Sequence, residues 1–168
     1  MSGDLRTGAD LTPEMLRRAL GHLTTGVTVV TAFSDDGPTG MAANSVTSVS
    51  LDPPLLLLCP AKTSTTWPAI RQAGRFCVNV MSEAHADITR RFSQKGADRF
   101  AGIRYFDRES GPALDGAVGW IECEIKQEHD AGDHTIVVAA IHAIEGHEDR
   151  APLVFFRGQY GGFVSRAE

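Results

Sequence analysis

The sequence has little cysteine, no long apolar run and no excess of positive charge, and each shortage removes a class of protein. Its three cysteines, Cys59, Cys77 and Cys123, leave an odd thiol and form no Cys-x-x-Cys pair, so neither a disulfide framework nor a thiolate metal centre is expected. Each lies in a strand-like run, where a reduced thiol behaves as a small hydrophobe. Cys59 and Cys77 are expected to pack, with no redox role. Purely apolar runs such as Leu55 to Cys59 are far too short to span a bilayer. The N-terminus lacks the basic-then-apolar layout of a secretory signal, so a cytoplasmic location is expected. A net charge of −5 argues against nucleic acid or an anionic membrane as the main partner, since basic patches hold both. The short basic pairs Arg17-Arg18 and Arg90-Arg91 do not reverse that balance.

Catalytic signatures are scarce as well. No Gly-x-Gly-x-x-Gly follows a strand, which excludes a Rossmann crevice, and no Gly-rich phosphate loop ending in Lys-Ser/Thr occurs. His129 and His134 lie five apart, as do His142 and His147, but no His-Glu-x-x-His or cysteine pair accompanies them, so no metal is expected. No Gly-x-Ser-x-Gly elbow is present.

What remains is a chain of 168 residues, 42% hydrophobic and 22% charged, the size and composition of one soluble domain spanning 1–168, with 1–10 expected to be mobile. Thr12-Pro13-Glu14 opens a helix, with Met15, Leu16, Ala19, Leu20 and Leu23 at helical spacing. Strands are expected over Gly26–Phe33, Gly40–Ser50, Leu55–Pro60, Arg75–Met81, Gly119–Ile125, Thr135–Ile144 and Leu153–Phe156. On the fourth of these Phe76, Val78 and Val80 share one face, and Cys77 and Asn79 the other. Short helices fit Ser64–Ala73 and Ser82–Phe92. Ser34–Pro38 and Asp130–Asp133 are turns. Many short strands and only short helices predict an all-β barrel with short helices.

The densest information lies between Gly40 and Ser64. A core hairpin has no use for Asn44, Ser45, Thr47, Ser48 and Ser50 in such proximity, whereas a site that hydrogen-bonds a planar ligand along its edge and holds its phosphate does. This block resembles the signature of the short-chain flavin reductases. So do Thr25–Thr31, Gly74–Val80, Arg91-Phe92, Asp98–Gly102, Gly132-Asp133-His134 and Pro152–Tyr160, all in the same order along the chain. The resemblance implies an antiparallel, Greek-key split β-barrel and a homodimer. It also implies transfer of hydride from NADH to FAD or FMN, with reduced flavin passed to a separate flavin-dependent monooxygenase.

Carried over residue by residue, the resemblance implies flavin contacts from Met41, Ala42, Asn44, Ser45, Val46 and Thr47, and from Ser50, Leu51, Cys59 and Ala61. Lys62 and Ser64 would serve the flavin phosphate at a helix start, and Arg91, Phe92 and Phe100 the flavin tail. His134 is the candidate catalytic residue, docking nicotinamide over the flavin, with Arg157 and Tyr160 as further contacts. No arginine cluster is visible for the extra phosphate of NADPH, so NADH is the expected nucleotide and NADPH the alternative. Leu55–Leu58 with Val137 and Val138 offers more apolar surface than one barrel needs, in keeping with a dimer. The competing functions are an electron-transfer flavoprotein and a non-catalytic flavin- or haem-binding barrel.

Overall fold

The computed structural model describes residues 7–96 and 98–166. The first six residues of the segment expected to be mobile lie outside them, and Gly8–Asp10 form one 3-10 turn. Helix α1 (Pro13–Leu20) starts where the sequence places it: the Met15 N–H donates to the Thr12 hydroxyl at 3.3 Å and Pro13 occupies the first turn. The helix is amphipathic, yet Leu16, Leu20 and the following Leu23 are exposed.

Among the described residues twelve strands follow: β1 (Thr25–Gly26), β2 (Thr28–Ser34), β3 (Gly37–Ala43), β4 (Thr47–Leu51), β5 (Pro54–Leu58), β6 (Arg75–Val80), β7 (Tyr105–Arg108), β8 (Gly111–Leu114), β9 (Gly119–Ala131), β10 (His134–Gly146), β11 (Val154–Phe156) and β12 (Gln159–Gly161). Helices α2 (Trp67–Ala73) and α3 (Ala86–Ser93) sit between β5 and β7. Seven strands form one antiparallel sheet in the order β3-β2-β6-β9-β10-β5-β4.

The strand expected over Gly40–Ser50 is in fact two, broken at Asn44–Val46. The two halves, β3 and β4, occupy opposite edges of the seven-stranded sheet. Only three residues join them, and four Cα steps of 3.8 Å reach at most about 15 Å. The sheet must therefore curl until its edges nearly meet. This makes the split barrel.

Alternation along the strands then sorts side chains into the barrel interior or its outer surface. Leu56, Leu58, Phe76, Val78, Val30 and Val137 fill the interior. Leu55, Leu57 and Val138 point outward, while Val137, expected beside Val138 on the surface, is fully buried. The expected strand Gly26–Phe33 is likewise split at Val27, where the chain leaves a small sheet of order β1-β11-β12 and enters the barrel.

The hairpin β7–β8 was not visible in the sequence, because two four-residue strands around Arg108–Gly111 carry no alternation. It covers the second face of β6. There Asn79, wholly buried, donates to Val29 O, Thr31 Oγ1 and Pro112 O at 3.0, 3.0 and 3.2 Å and accepts from the Leu114 N–H at 2.6 Å. Gly111 has φ 142°, and a Cβ there would lie 2.6 Å from Thr31 O, so only glycine permits the contact. Cys77 packs there and Cys123 in the barrel interior, and burial pushes both thiols up to about 12. They stay protonated and inert, which fits packing residues.

At the far end of the chain, β11 and β12 are joined by the two-residue turn Arg157-Gly158, with φ of 49° and 79°. Two positive φ values in sequence define a type I′ turn, which favours Asn-Gly. An arginine there costs about 1–2 kcal/mol. Its N–H donates to Gly21 O at 2.9 Å, tying the turn to the end of α1.

The Asn79 network carries a prediction. Asn79→Ala orphans the buried Leu114 N–H and removes a donor from Val29 O, Thr31 Oγ1 and Pro112 O, the last still held by the Thr31 hydroxyl, and should lower the unfolding free energy by about 2–4 kcal/mol. Denaturant titration checks this; a loss below 1 kcal/mol would show that the network is idle.

Candidate functional site

The seam between β3 and β4 is where the sequence concentrates its hydroxyls, and the first of them holds the seam together. Ser45 Oγ accepts from the Cys59 N–H at 2.9 Å and donates to the Cys59 carbonyl at 3.3 Å. The chain then turns through Pro60–Lys62, where backbone bonds stitch it to the β9–β10 hairpin: Lys62 N–H to Asp133 O at 2.9 Å and Thr135 N–H to Pro60 O at 3.0 Å. Gly132 supplies the positive φ of that hairpin's turn. His134 is thereby fixed beside Ala61.

Ser64 caps α2: its hydroxyl accepts from Thr66 N and Trp67 N at 3.3 and 3.1 Å. The helix begins at Trp67, slightly later than expected, and Pro68 falls in its first turn as required. Across from it, Arg99 donates to Gly40 O at 2.7 Å, to Gln94 O at 2.7 Å and to the Thr66 hydroxyl. Partial burial lowers the pKa of this guanidinium from its usual value, without threatening its charge.

Together these elements enclose a groove of about 290 Å³. Met41, Ala42, Pro60 and Phe92 give it an apolar wall, Asn44, Ser64, Thr65 and Thr66 a polar edge, and Lys95 and Arg99 its positive charge. Neither cation has a carboxylate partner among the described residues. His134 stands at the lip, 44% exposed, with Nδ1 2.7 Å from Asp133 Oδ1. That contact and the charge of His134, with a smaller effect from Arg17, hold the Asp133 carboxyl below the usual carboxylate range. In the neutral imidazole Nδ1–H donates to Asp133, leaving Nε2 as a free acceptor.

Of the residues singled out by sequence, the groove unites Met41, Ala42, Asn44, Ser45, Cys59, Ala61, Ser64, Phe92 and His134. The others lie outside it in this chain. Val46 packs against the barrel core, and Thr47 and Leu51 are exposed on β4, with Ser50 beside them. Lys62 pairs with Asp130 on the far side of the hairpin, Arg91 donates to Ala101 O, and Phe100 packs on Phe92 and Tyr105. Tyr160 lines a small adjoining cavity with Ala42 and Asn44, and Arg157 belongs to a separate one. Sequence reasoning missed Lys95, Arg99, Thr65 and Thr66. Arg99 stands in the Asp98–Gly102 element that carries the resemblance, but its reach to Gly40 is a tertiary fact.

The groove has the chemistry to hold part of a flavin: an apolar wall for the ring, hydrogen-bonding groups along one edge and unpaired cations for a phosphate. A split antiparallel barrel with such a groove at its seam defines a class of flavin-binding barrels. Comparisons with known proteins agree. Residues 20–163 match the model of the flavin reductase like domain. A flavin reductase of Pseudomonas putida is 43% identical over 155 residues, covering 91% of each chain. The reductase subunit HsaB of a flavin-dependent monooxygenase from Mycobacterium tuberculosis is 42% identical, over 92% of this chain and 84% of its own. An NADH:FAD oxidoreductase of Streptomyces globisporus, solved in complex with NAD and FAD fragments, superposes with a TM-score of 0.87 at 35% identity, covering 92% of this chain and 94% of its own. The chain belongs to the flavin reductase-like family.

Because Ser45 spends its hydroxyl on Cys59, Ser45→Ala should cost about 1–2 kcal/mol of unfolding free energy. Chemical denaturation measures it. Unchanged stability together with weakened flavin binding would return that hydroxyl to the ligand.

Proposed function

We propose that the protein is an NADH-dependent flavin reductase that reduces FAD or FMN and passes the reduced flavin to a separate monooxygenase. The observation that carries the reading is the position of His134, tethered by Asp133 at the lip of a groove with a flat wall and a cationic end. The names of the relatives point the same way. When bound, the flavin and the nicotinamide supply the hydride chemistry themselves.

The chain's own residues position and enclose. Phe92, Met41 and Pro60 press on one side of the groove, excluding water from it, while Asn44 and the Ser64–Thr66 turn present hydrogen-bonding groups along its edge. Lys95 and Arg99 attract a phosphate. His134 offers Nε2 to a carboxamide N–H and its ring face to nicotinamide, in the orientation that Asp133 sets. No residue is asked to abstract a proton.

A groove of about 290 Å³ stands at the small end of the range for ligand sites, so one chain encloses only part of a flavin. The proposal therefore includes a homodimer, built on the outward Leu55, Leu57 and Val138 with the exposed Val49 and Leu51 of edge strand β4. Thr47, Ser50 and Leu51 would then lie where two chains meet, within reach of a flavin held between them. Sedimentation should find a dimer at micromolar concentration; a stable monomer there would refute this part.

NADH oxidation under air should scale with added free flavin. Flavin-independent single turnover would instead indicate an electron-transfer protein, and no oxidation a binding barrel. His134→Ala should lower kcat/KM for NADH by about 1–3 kcal/mol, close to tenfold or more. Dithionite should still reduce the bound flavin at the wild-type rate. Stopped-flow reduction at several NADH concentrations decides, and unaltered rates would remove His134 from the mechanism.

A further inference from the structure

A cavity larger than the groove lies outside it. It measures about 560 Å³ and is lined by Arg17, Arg18, Gly21, His22, Arg157 and Gly158. No carboxylate lines it, and none of its three arginines has an ion-pair partner among the described residues. In a chain with 21 acidic residues against 16 basic ones, a shortage of carboxylates does not explain this. Arg17 and Arg18, in the last turn of α1, suit the negative end of the helix. That argument does not cover Arg157, whose guanidinium lies 5.1 Å from the centroid of the Phe156 ring but faces no carboxylate. It comes from another element and takes a left-handed position that asparagine would occupy with less strain. The chain keeps an arginine there, and the bond from its N–H to Gly21 O sets it against the end of α1. His22 adds a fourth donor: its Nδ1–H donates to Arg18 O at 2.9 Å, so Nε2 faces outward and becomes a donor when the ring is protonated.

Three arginines and a histidine lining one cavity without a counter-charge make an anion site, and guanidinium forks match phosphate oxygens in pairs. The cavity shares no residue with the flavin groove. Even so, the β11–β12 hairpin that carries Arg157 also lines, through Phe155 and Tyr160, the small cavity that shares Ala42, Ala43 and Asn44 with the groove, so one hairpin runs from this cavity to the groove's edge.

We propose that this cavity takes the phosphate groups of the nicotinamide nucleotide's adenylate half while its ring docks at His134. The proposal rests on the functional reading given above. FAD carries the same chemistry in its own adenylate half, and the experiment separates the two sources.

FMN, which has no adenylate, serves as the flavin, and NADH and NADPH as reductants, with the full-length chain. In Arg17→Gln/Arg18→Gln, and separately in Arg157→Asn, kcat/KM for the nucleotide should fall by about tenfold or more. ADP should inhibit the wild type competitively against NADH and lose about tenfold in potency in both variants. Arg157→Asn should also melt about 2–4 °C higher, because the turn is relieved, so its loss of nucleotide affinity will not be a loss of fold. Unchanged nucleotide kinetics and unchanged ADP inhibition would overturn the proposal. So would a weakened affinity for FAD with the nucleotide kinetics intact, which would give the cavity to the flavin. A wild type that oxidises neither NADH nor NADPH would defeat the functional reading itself. Calorimetric binding of ADP to the wild type and its variants then decides the cavity independently, and its absence from the wild type would overturn the proposal.

Discussion

The structure depends on a short tether. Residues 44–46 are all that connects the two edge strands of a seven-stranded sheet, and a chain of that length forces the sheet to roll until β3 and β4 stand side by side. The seam carries no strand-to-strand ladder, and Ser45 substitutes for it by bonding both backbone groups of Cys59. A sheet closed by hydrogen bonds all the way round has no such opening. Here the missing ladder leaves a slot in the wall, and the slot is the groove.

The rest of the site hangs on that slot. The segment leaving β5 is stitched to the β9–β10 hairpin, which brings His134 to the lip, and it runs on into the Ser64 cap of α2. Arg99 closes the opposite side through neutral acceptors alone, so its charge is not cancelled by a carboxylate. Rigidity comes from further away. The buried Asn79 network pins β2, β6 and β8 into one block beneath the groove, and the covering hairpin protects it from water. A site that supplies geometry rather than proton transfer needs this kind of support, because two stacked cofactors react only when held at contact distance.

Charge is distributed with the same economy. The chain is acidic overall, and seven of its 16 lysines and arginines form salt bridges among the described residues, each worth little individually. Lys95 and Arg99 in the groove, and Arg17, Arg18 and Arg157 in the larger cavity, have no carboxylate partner among the described residues. Unpaired guanidinium groups repel one another and hold their water. A protein keeps them together where an anion is to take their place as partner.

Local chemistry made much of this legible in advance. Thr12 with Pro13, Ser64 with Pro68, and Asp130–Asp133 each announce a cap or a turn through their own backbone preferences, and each structural element begins or bends there. The alternation of Phe76, Val78 and Val80 marked a strand. Of the cluster from Asn44 to Ser64, Asn44, Ser45, Cys59, Ala61 and Ser64 line the candidate groove, while Val46, Thr47, Ser50, Leu51 and Lys62 do not. Hidden from the sequence were the break at Asn44–Val46, the inward turn of Val137, the outward pairing of Lys62 with Asp130 and the meeting of Arg17, Arg18 and Arg157. Each depends on which strands become neighbours. The sequence by itself determined most of the elements and the barrel class, which follow from propensity and pattern within a few residues, and it carried the family through motifs spaced along the chain. Which face of a strand is inside, and which distant cations share a cavity, only the tertiary structure decided, because both follow from closing the sheet across a tether three residues long.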